Sequence, residues 1–454
     1  MIPQTLATLA EWSGARLIAG DPQSVVGSVG SDSRSLAPGS LLVALRGEHF
    51  DAHDFVGEAG AAAVLVSRAV AVPPGVGVLL VDDTLQGLQR LAARYRRQWG
   101  GVVVGLTGSN GKTSTKDMIH SVLSQRFGVC ATRGNLNNHI GLPLSVLSAG
   151  AEHSHGVFEM GMNHPGEIAP LAALAAPEVA VITNIGTAHI EYMGSREAIA
   201  LEKGRLAEAV PPDGLVVLNA NDAFTPEIAA RCRARVLTAG IDCGEVQVRA
   251  VQSAGAGSSL VLELPDRSRG AVRLPVPGRH MAGNAALAAA VGFHLGLRLE
   301  EIVDGLESAV LTGGRLQLRV VDGLRFLDDS YNANPDSMRA ALETLRTFAA
   351  EGRRVAVLGR MGELGATAQA EHLALGAAVQ QLGIDQLCVV GRGEAELIGE
   401  GYAAAGGSAD RLHYFPDPCS AGVFLRGWAG PTDLILVKGS RSAAMERAIQ
   451  PTFA

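Results

Sequence analysis

The stretch "VVVGLTGSNGKTSTKDMI", residues 102–119, constrains the fold of this chain more than any other. Its valines read as a strand, its Gly-Ser-Asn-Gly as a tight turn, and the residues from Lys112 onward as the start of a helix. A strand feeding a helix through a glycine-rich turn opens a βαβ unit, so a mostly parallel sheet covered by helices is expected. Backbone N–H groups at such a turn attract phosphate oxygens. Lys112 would then sit on the β and γ phosphates of a nucleotide and Thr113 on Mg²⁺. One detail departs from the general GxxxxGK[ST] pattern: Leu106 stands where its first glycine belongs, and the actual arrangement is T-G-x-x-G-K-T.

The rest of the chain divides into three. Residues 1–83 form a short α/β unit with apolar runs "SLLVALRG" and "AAAVLVS". Residues 84–313 begin with the helix "LQGLQRLAARYRRQW" and continue with "VVVGLT", "GVFEMG", "EVAVITN" and "GLVVLNAND", strands alternating with helical stretches. Between 246 and 276 the pattern changes to antiparallel alternation, an added β section. Residues 314–454 open with "LQLRVVDGLRFLDD", whose Asp-Gly between two alternating runs is a hairpin signal. The runs "RRVAVLG", "DQLCVVG" and "DLILVKG" follow, each ending in Gly. They predict a second doubly wound, Rossmann-like sheet with ligand groups where its strands end.

Composition excludes several classes. Hydrophobic residues make up 47% and charged ones 18%, which suits a folded protein and not a disordered one. The net charge of -7 leaves no basic surplus for general nucleic-acid binding, so anions must be held locally. Five scattered cysteines without a CxxC pair predict neither a disulfide framework nor a zinc site, and read as small core residues. The N-terminal "MIPQTLATLAEWSGARL" reads as an amphipathic helix containing Glu11 and Arg16, not a signal peptide. No apolar run approaches the about 20 residues of a membrane span, so a cytoplasmic location without membrane insertion is expected.

Three further residues are candidates. Glu159 ends an apolar strand of the same sheet, where a carboxylate can share the Mg²⁺ with Thr113; a solvated glutamate is the alternative. His189 follows another strand end in "NIGTAHIEYMG", although a lone loop histidine is more often an ordinary polar residue. Lys203 lies on a helix capped by Ser195, where its default reading is a solvated lysine.

Together these pieces resemble the Mur ligase family, ATP-dependent amide-forming enzymes of peptidoglycan synthesis whose phosphate loop reads TGxxGKT, as "TGSNGKT" does here. The resemblance covers essentially the whole chain. Within the family it points to the branch joining D-Ala-D-Ala to UDP-N-acetylmuramoyl-tripeptide, on "DSRSLAPGSLLVALRGEHFDAHDF", "GNLNNHIGLPLSVL", "EMGMNHPGEI", "DDSYNANPDSM", "MGELG" and "VKGSRSAAMERAI". It implies that Thr107, Gly108, Ser109, Asn110, Gly111, Lys112, Thr113 and Ser114 hold ATP. Glu159 and His189 are implied as ligands, with Thr113, of two Mg²⁺ ions, and Lys203 as a carbamylated lysine that joins them. Ser33 and Arg34 are implied near the uridine nucleotide, and Asn135, Asn137 and Asn138 along the muramoyl-peptide channel. Asn284 is implied near the adenine, Arg315 near the phosphates, Asp329 at the ribose and Asn332 beside the base. Lys112, Lys203, His189 and Arg315 would carry the catalysis.

The resemblance also implies a monomer whose domain closure completes the ATP site. Arg360 departs from the aspartate usual in the family before the Met of "MGELG", leaving that loop's contact with substrate open. Three other readings share some of these features: a sister ligase that adds a single amino acid, an ATP-driven switch, and an ATP-binding scaffold. "NANPDSM" also reads as a helix start, with Asn334 as N-cap and Pro335 in the first turn.

Overall fold

The computed structural model describes residues 1–47, 49–254 and 256–450. Its strands gather into three principal sheets, one in each third of the chain. In the first, four strands pair in parallel (Gly77–Leu80, Ala63–Val66, Ser40–Val43 and Ser28–Gly30), and Arg16–Ala19 adds antiparallel to Gly77–Leu80. The preceding helix, Leu6–Ser13, stops at Gly14, whose φ of 72° only glycine adopts without strain. Arg16 therefore lies in a strand, not in the helix expected for it.

The central sheet has nine strands. Val102–Thr107 lies between His155–Glu159 and Val179–Ile182, parallel to both. Beyond Val179–Ile182 come Leu215–Asn219, Arg235–Ile241 and Val246–Ala254, all parallel. Val129–Ala131 pairs outside His155–Glu159. The antiparallel strands Gly257–Glu263 and Arg269–Leu274 continue this same sheet and are not a separate layer. Val129–Ala131 and Arg235–Ile241 escape the sequence reading because the first is three residues long and the second alternates only weakly.

The third sheet has six strands, in the order Gln317–Val321, Leu324–Asp328, Leu434–Lys438, Arg354–Gly359, Gln386–Val390 and Leu412–Phe415. The hairpin forms as predicted, with Asp322 (φ 52°) and Gly323 (φ 78°) both left-handed in the turn. The other pairings are parallel.

The long helix Thr84–Trp99 is capped by Asp83, whose carboxylate accepts from Gln86 N, and ends at Gly100. Its buried Arg96 ties it to the central unit: Nε donates to the Ala175 carbonyl at 2.7 Å, and Nη2 to Glu178 at 2.8 and 2.9 Å. Glu178 in turn accepts from Val103 N on the central strand. Of the cysteines, Cys130 and Cys388 are buried as expected, but Cys232 and Cys243 are half-buried and Cys419 is exposed.

Replacing Arg96 with Met would leave the helix-end carbonyls without a donor and Glu178 with only Val103 N. The loss should be about 2–3 kcal/mol, discounted because Glu178 is half-exposed. A lowered urea midpoint checks it.

Candidate active site

The strand order of the central sheet reverses at Val102–Thr107, so the connections leave its carboxyl end in opposite directions and open a crevice there. The carboxyl ends of Leu324–Asp328, Leu434–Lys438 and Arg354–Gly359 face the same crevice from the third sheet. Between them lies a cleft of about 740 Å³ lined by both units.

The turn after Val102–Thr107 has its predicted form. Gly108 (φ 151°) leaves no room for a Cβ, which would collide with Thr183 Oγ1, and Gly111 (φ 79°) would bring one to 2.8 Å from Asn284 Oδ1. These contacts require the glycines of T-G-x-x-G-K. The helix Lys112–Leu123 starts at Gly111 without a side-chain cap, so its first N–H groups face the cleft as an anion site. Asn184 holds the turn: Asn110 N donates to its Oδ1 and Ser109 N to its carbonyl, both at 2.9 Å. The sequence reading missed Asn184, a strand-end asparagine that only the crossing of chains puts beside the turn. Lys112 Nζ donates to the Gly108 carbonyl at 2.7 Å. Burial lowers its pKa, with Arg315 adding to the effect and Glu159 opposing it.

Glu159 is buried, not the solvated residue of the alternative reading. Its Oε2 accepts from Thr113 Oγ1 at 2.9 Å and its Oε1 from Asn137 Nδ2 at 2.8 Å, while Thr132 Oγ1 accepts from its backbone N. Among the described residues no lysine or arginine pairs with it. A buried carboxylate held by neutral donors beside a threonine hydroxyl is a hard-oxygen donor set, and it fits Mg²⁺.

Lys203 is 1% exposed and has neither hydrogen bond nor ion pair among the described residues. The solvated reading fails because its helix face, Arg196–Glu208, packs inward. Burial, and then the charge of Lys112, lower its pKa well below the usual lysine range, although Glu202 and Glu159 act the other way. His189 lines the cleft, but its Nδ1 lies 2.6 Å from Glu363 Oε2 of the third unit. The imidazole holds the pKa of that carboxyl below its usual value, and burial only partly opposes this.

The third unit supplies cations and clasps. Arg315 stacks over Tyr331, 4.3 Å from the ring centroid, and donates to Thr113 Oγ1 at 3.1 Å. Asp329 is in ion-pair contact with Lys438 at 2.5 Å and accepts from Leu316 N; Lys438 also donates to the Asn332 carbonyl. Asn334 caps its helix as expected and also donates to Asn110 Oδ1 at 2.7 Å. Asp336 accepts from Thr187 N at 2.9 Å. The units are thus already in contact across the cleft.

Two stretches of the chain matched family descriptions. Residues 106–292 match the Mur ligase middle domain and residues 314–441 the Mur ligase glutamate ligase domain. The UDP-N-acetylmuramoyl-tripeptide--D-alanyl-D-alanine ligase of Bacillus subtilis is 37% identical over 99% of this chain and 98% of its own length. The chain belongs to the Mur ligase family.

The Escherichia coli enzyme of the same name is also 37% identical, over 99% of this chain and 98% of its own. Two solved structures share the three-unit fold: MurF of Acinetobacter baumannii (35% identity, TM-score 0.88, 98% of each chain) and MurF ligase of Thermotoga maritima in complex with ADP (29%, 0.81, 93% of this chain and 96% of that one). Membership makes this Mur ligase an ATP-dependent peptide ligase that uses Mg²⁺.

Within this Mur ligase most of the expected site residues meet in the cleft, but several do other work there. Asn137 orients Glu159, and Asn138 Oδ1 accepts from Ile140 N and Gly141 N, starting a helix. Both were expected along the peptide channel; among them only Asn135 leaves its side chain uncommitted. Ser33 and Arg34 lie outside the cleft lining, on the first unit, where Arg34 pairs with Asp32 at 2.8 Å. Thr107 is buried beneath the turn rather than in the lining, whereas Ser109, Asn110 and Ser114 line it. Arg360 lines the cleft half-exposed, 3.9 Å from Glu394. Glu363, Lys438, Asp336 and His280 were not read from sequence, because their place depends on the two sheets facing each other. Among the described residues no three His, Cys, Asp or Glu side chains cluster as a ready metal site.

His280, in the cleft lining, is partly exposed by surface but set deep enough that burial pushes its imidazole down to about 4, against the pull of Asp329. It stays neutral in the fold at pH values where the unfolded chain binds a proton, near its ordinary 6.5. Stability from this source is complete above about pH 6.5 and is lost as pH falls toward 4. His280→Gln should therefore flatten the fall of the thermal midpoint across that window in a series of melting curves.

Proposed function

We propose that this Mur ligase joins D-Ala-D-Ala to UDP-N-acetylmuramoyl-tripeptide at the expense of ATP. The observation that carries the reading is the closed cleft, which brings a phosphate turn and a buried carboxylate from one sheet against Arg315, Lys438 and the "DDSYNANPDSM" loop of another. The near-full-length relatives named for that reaction support it.

The terminal carboxylate of the tripeptide attacks the γ-phosphorus of ATP, forming an O–P bond as ADP leaves. The amine of D-Ala-D-Ala then attacks the acyl carbon, losing a proton as the amide forms and phosphate departs. Negative charge gathers on phosphoryl and carboxyl oxygens in both stages, so prearranged cations supply most of the stabilisation. Lys112 and the uncapped helix start hold the phosphates, and Arg315, fixed by Tyr331 and Thr113, faces the same charge. The Asn334–Asn110 and Asp336–Thr187 contacts keep the units together and exclude water from the reactive acyl phosphate. Thr113, Glu159, His189 and a carbamylated Lys203 would hold Mg²⁺, which when bound neutralises phosphate charge. On this reading Asn284 stands by the adenine, Asp329 and Asn332 by the ribose and base, and Ser33 and Arg34 by the uridine nucleotide, with the enzyme acting as a cytoplasmic monomer.

The case for the carbamate on Lys203 is chemical. CO₂ adds only to a neutral amine, and burial, with the charge of Lys112 beside it, shifts this lysine toward the neutral form. The product is an anion, which attracts the Lys112 ammonium and adds a hard oxygen ligand. Lys203→Ala should lower turnover by about 10²–10³ while leaving the fold intact, since a helix accepts alanine. Added acetate should restore part of the activity, and full activity of the variant would exclude the carbamate.

Selection of the dipeptide tests the whole assignment. A site that hydrogen-bonds a dipeptide amide and carboxylate leaves polar groups unpaired when a single amino acid enters, at a cost of about 10⁴ in kcat/KM. In a competition assay scoring ADP, D-Ala-D-Ala should outcompete L-Ala, D-Glu, L-Lys and meso-diaminopimelate by that order. Efficient use of any single amino acid would leave only the family assignment.

A further inference from the structure

Two backbone outliers meet where the central and third units touch. His189 has φ 63° and Glu363 φ 59°, both in the left-handed region that residues with a Cβ rarely occupy. The first belongs to the loop after Val179–Ile182, the second to the "MGELG" loop after Arg354–Gly359. Their side chains face each other, with Nδ1 and Oε2 2.6 Å apart. The backbone reinforces the approach, since Glu191 N donates to the Glu363 carbonyl at 3.3 Å. Gly365 supports it as well: a Cβ there would stand 3.2 Å from Glu191 Cγ, so that loop packs tightly against the helix Ile190–Met193. The reaction described above leaves Glu363 without a task.

Imidazole is a poor match for Mg²⁺, which prefers oxygen. A carboxylate at Nδ1 changes this by holding the proton on that nitrogen, leaving the lone pair on Nε2 and raising its strength as a donor. No hydrogen bond joins the two groups, but a carboxylate charge 2.6 Å from Nδ1 favours the tautomer with its proton on that nitrogen. The arrangement has a further consequence, because the ligand comes from one unit and the group that prepares it from another.

We propose that Glu363 is the positioning residue that makes His189 a magnesium ligand, so that the metal site is complete only when the third unit is docked. The proposal rests on the reading of His189 as a ligand and goes beyond it in coupling metal binding to closure through one side chain. A plain clasp between units would be the simpler role for Glu363, and Asp336 provides the comparison. It clasps Thr187 by N and Oγ1 at 2.9 and 3.1 Å, two residues from His189, without reaching the imidazole.

The test uses Mn²⁺ alone as the probe, titrated into the full-length protein while free Mn²⁺ is read from its electron paramagnetic resonance signal. Glu363→Gly suits the left-handed backbone, while Glu363→Gln keeps an oxygen beside Nδ1 without the full charge. Glu363→Gly should weaken Mn²⁺ binding about 10- to 100-fold, Glu363→Gln should recover part of the loss, and His189→Ala should bind no better than Glu363→Gly. Asp336→Ala, which loosens docking but leaves the imidazole's partner in place, should weaken binding far less than Glu363→Gly. Wild-type affinity in Glu363→Gly, with His189→Ala weakened, would overturn the proposal and leave Glu363 a clasp. Equal weakening in Asp336→Ala would do the same by assigning the loss to docking. Wild-type affinity in His189→Ala would remove the ligand reading itself.

Discussion

The carboxyl end of Val102–Thr107 is the point on which the rest of the active site depends. Its neighbours on either side, His155–Glu159 and Val179–Ile182, run parallel to it, so three chains leave the sheet at one level. The helix that follows begins at a glycine and offers its first N–H groups to whatever occupies the crevice. Glu159 arrives from one neighbour and Asn184 and His189 from the other. Each is placed by register alone, without any contact in sequence to Lys112.

This geometry concentrates charge in a poorly hydrated place. Lys112 lowers the affinity of Lys203 for a proton, and burial is the largest effect on both lysines. Glu159 faces them without a direct ion pair, held by Thr113 and Asn137. Asp329 and Lys438 neutralise each other on the opposite wall, and Arg315 bridges the walls through Thr113. Unpaired and partly paired charges in such a cleft are costly, and bound phosphate and metal offset that cost.

Features set by local chemistry are legible in the sequence, and features set by packing are not. The phosphate turn was legible because the positive φ at Gly108 and Gly111 is a local demand of the turn, whereas the crowding of a Cβ there comes from Thr183 and Asn284, distant in sequence. The Asp322-Gly323 hairpin and the Asn334 cap were legible for the same reason, since turn and cap chemistry acts within four residues. For Asn137 the motif places it near the site but does not show that Glu159 lies 2.8 Å from its amide. Lys203 could not be told from a surface lysine, since a helix residue's burial depends on what packs against that face.

By itself the sequence determined the parallel α/β architecture, the phosphate turn, the hairpin opening the third unit and the family, because these rest on periodicity and on short motifs whose physics is local. Tertiary structure alone decided which face of the Arg196–Glu208 helix is dry, that Asn184 clamps the turn, and that Glu363 meets His189 across the cleft. Those outcomes depend on strand order and on the docking of two sheets, interactions between residues up to 174 positions apart in the pair His189–Glu363 (363 − 189). No local preference encodes a contact over such a separation. It exists only once burial of both apolar cores has fixed how the units meet.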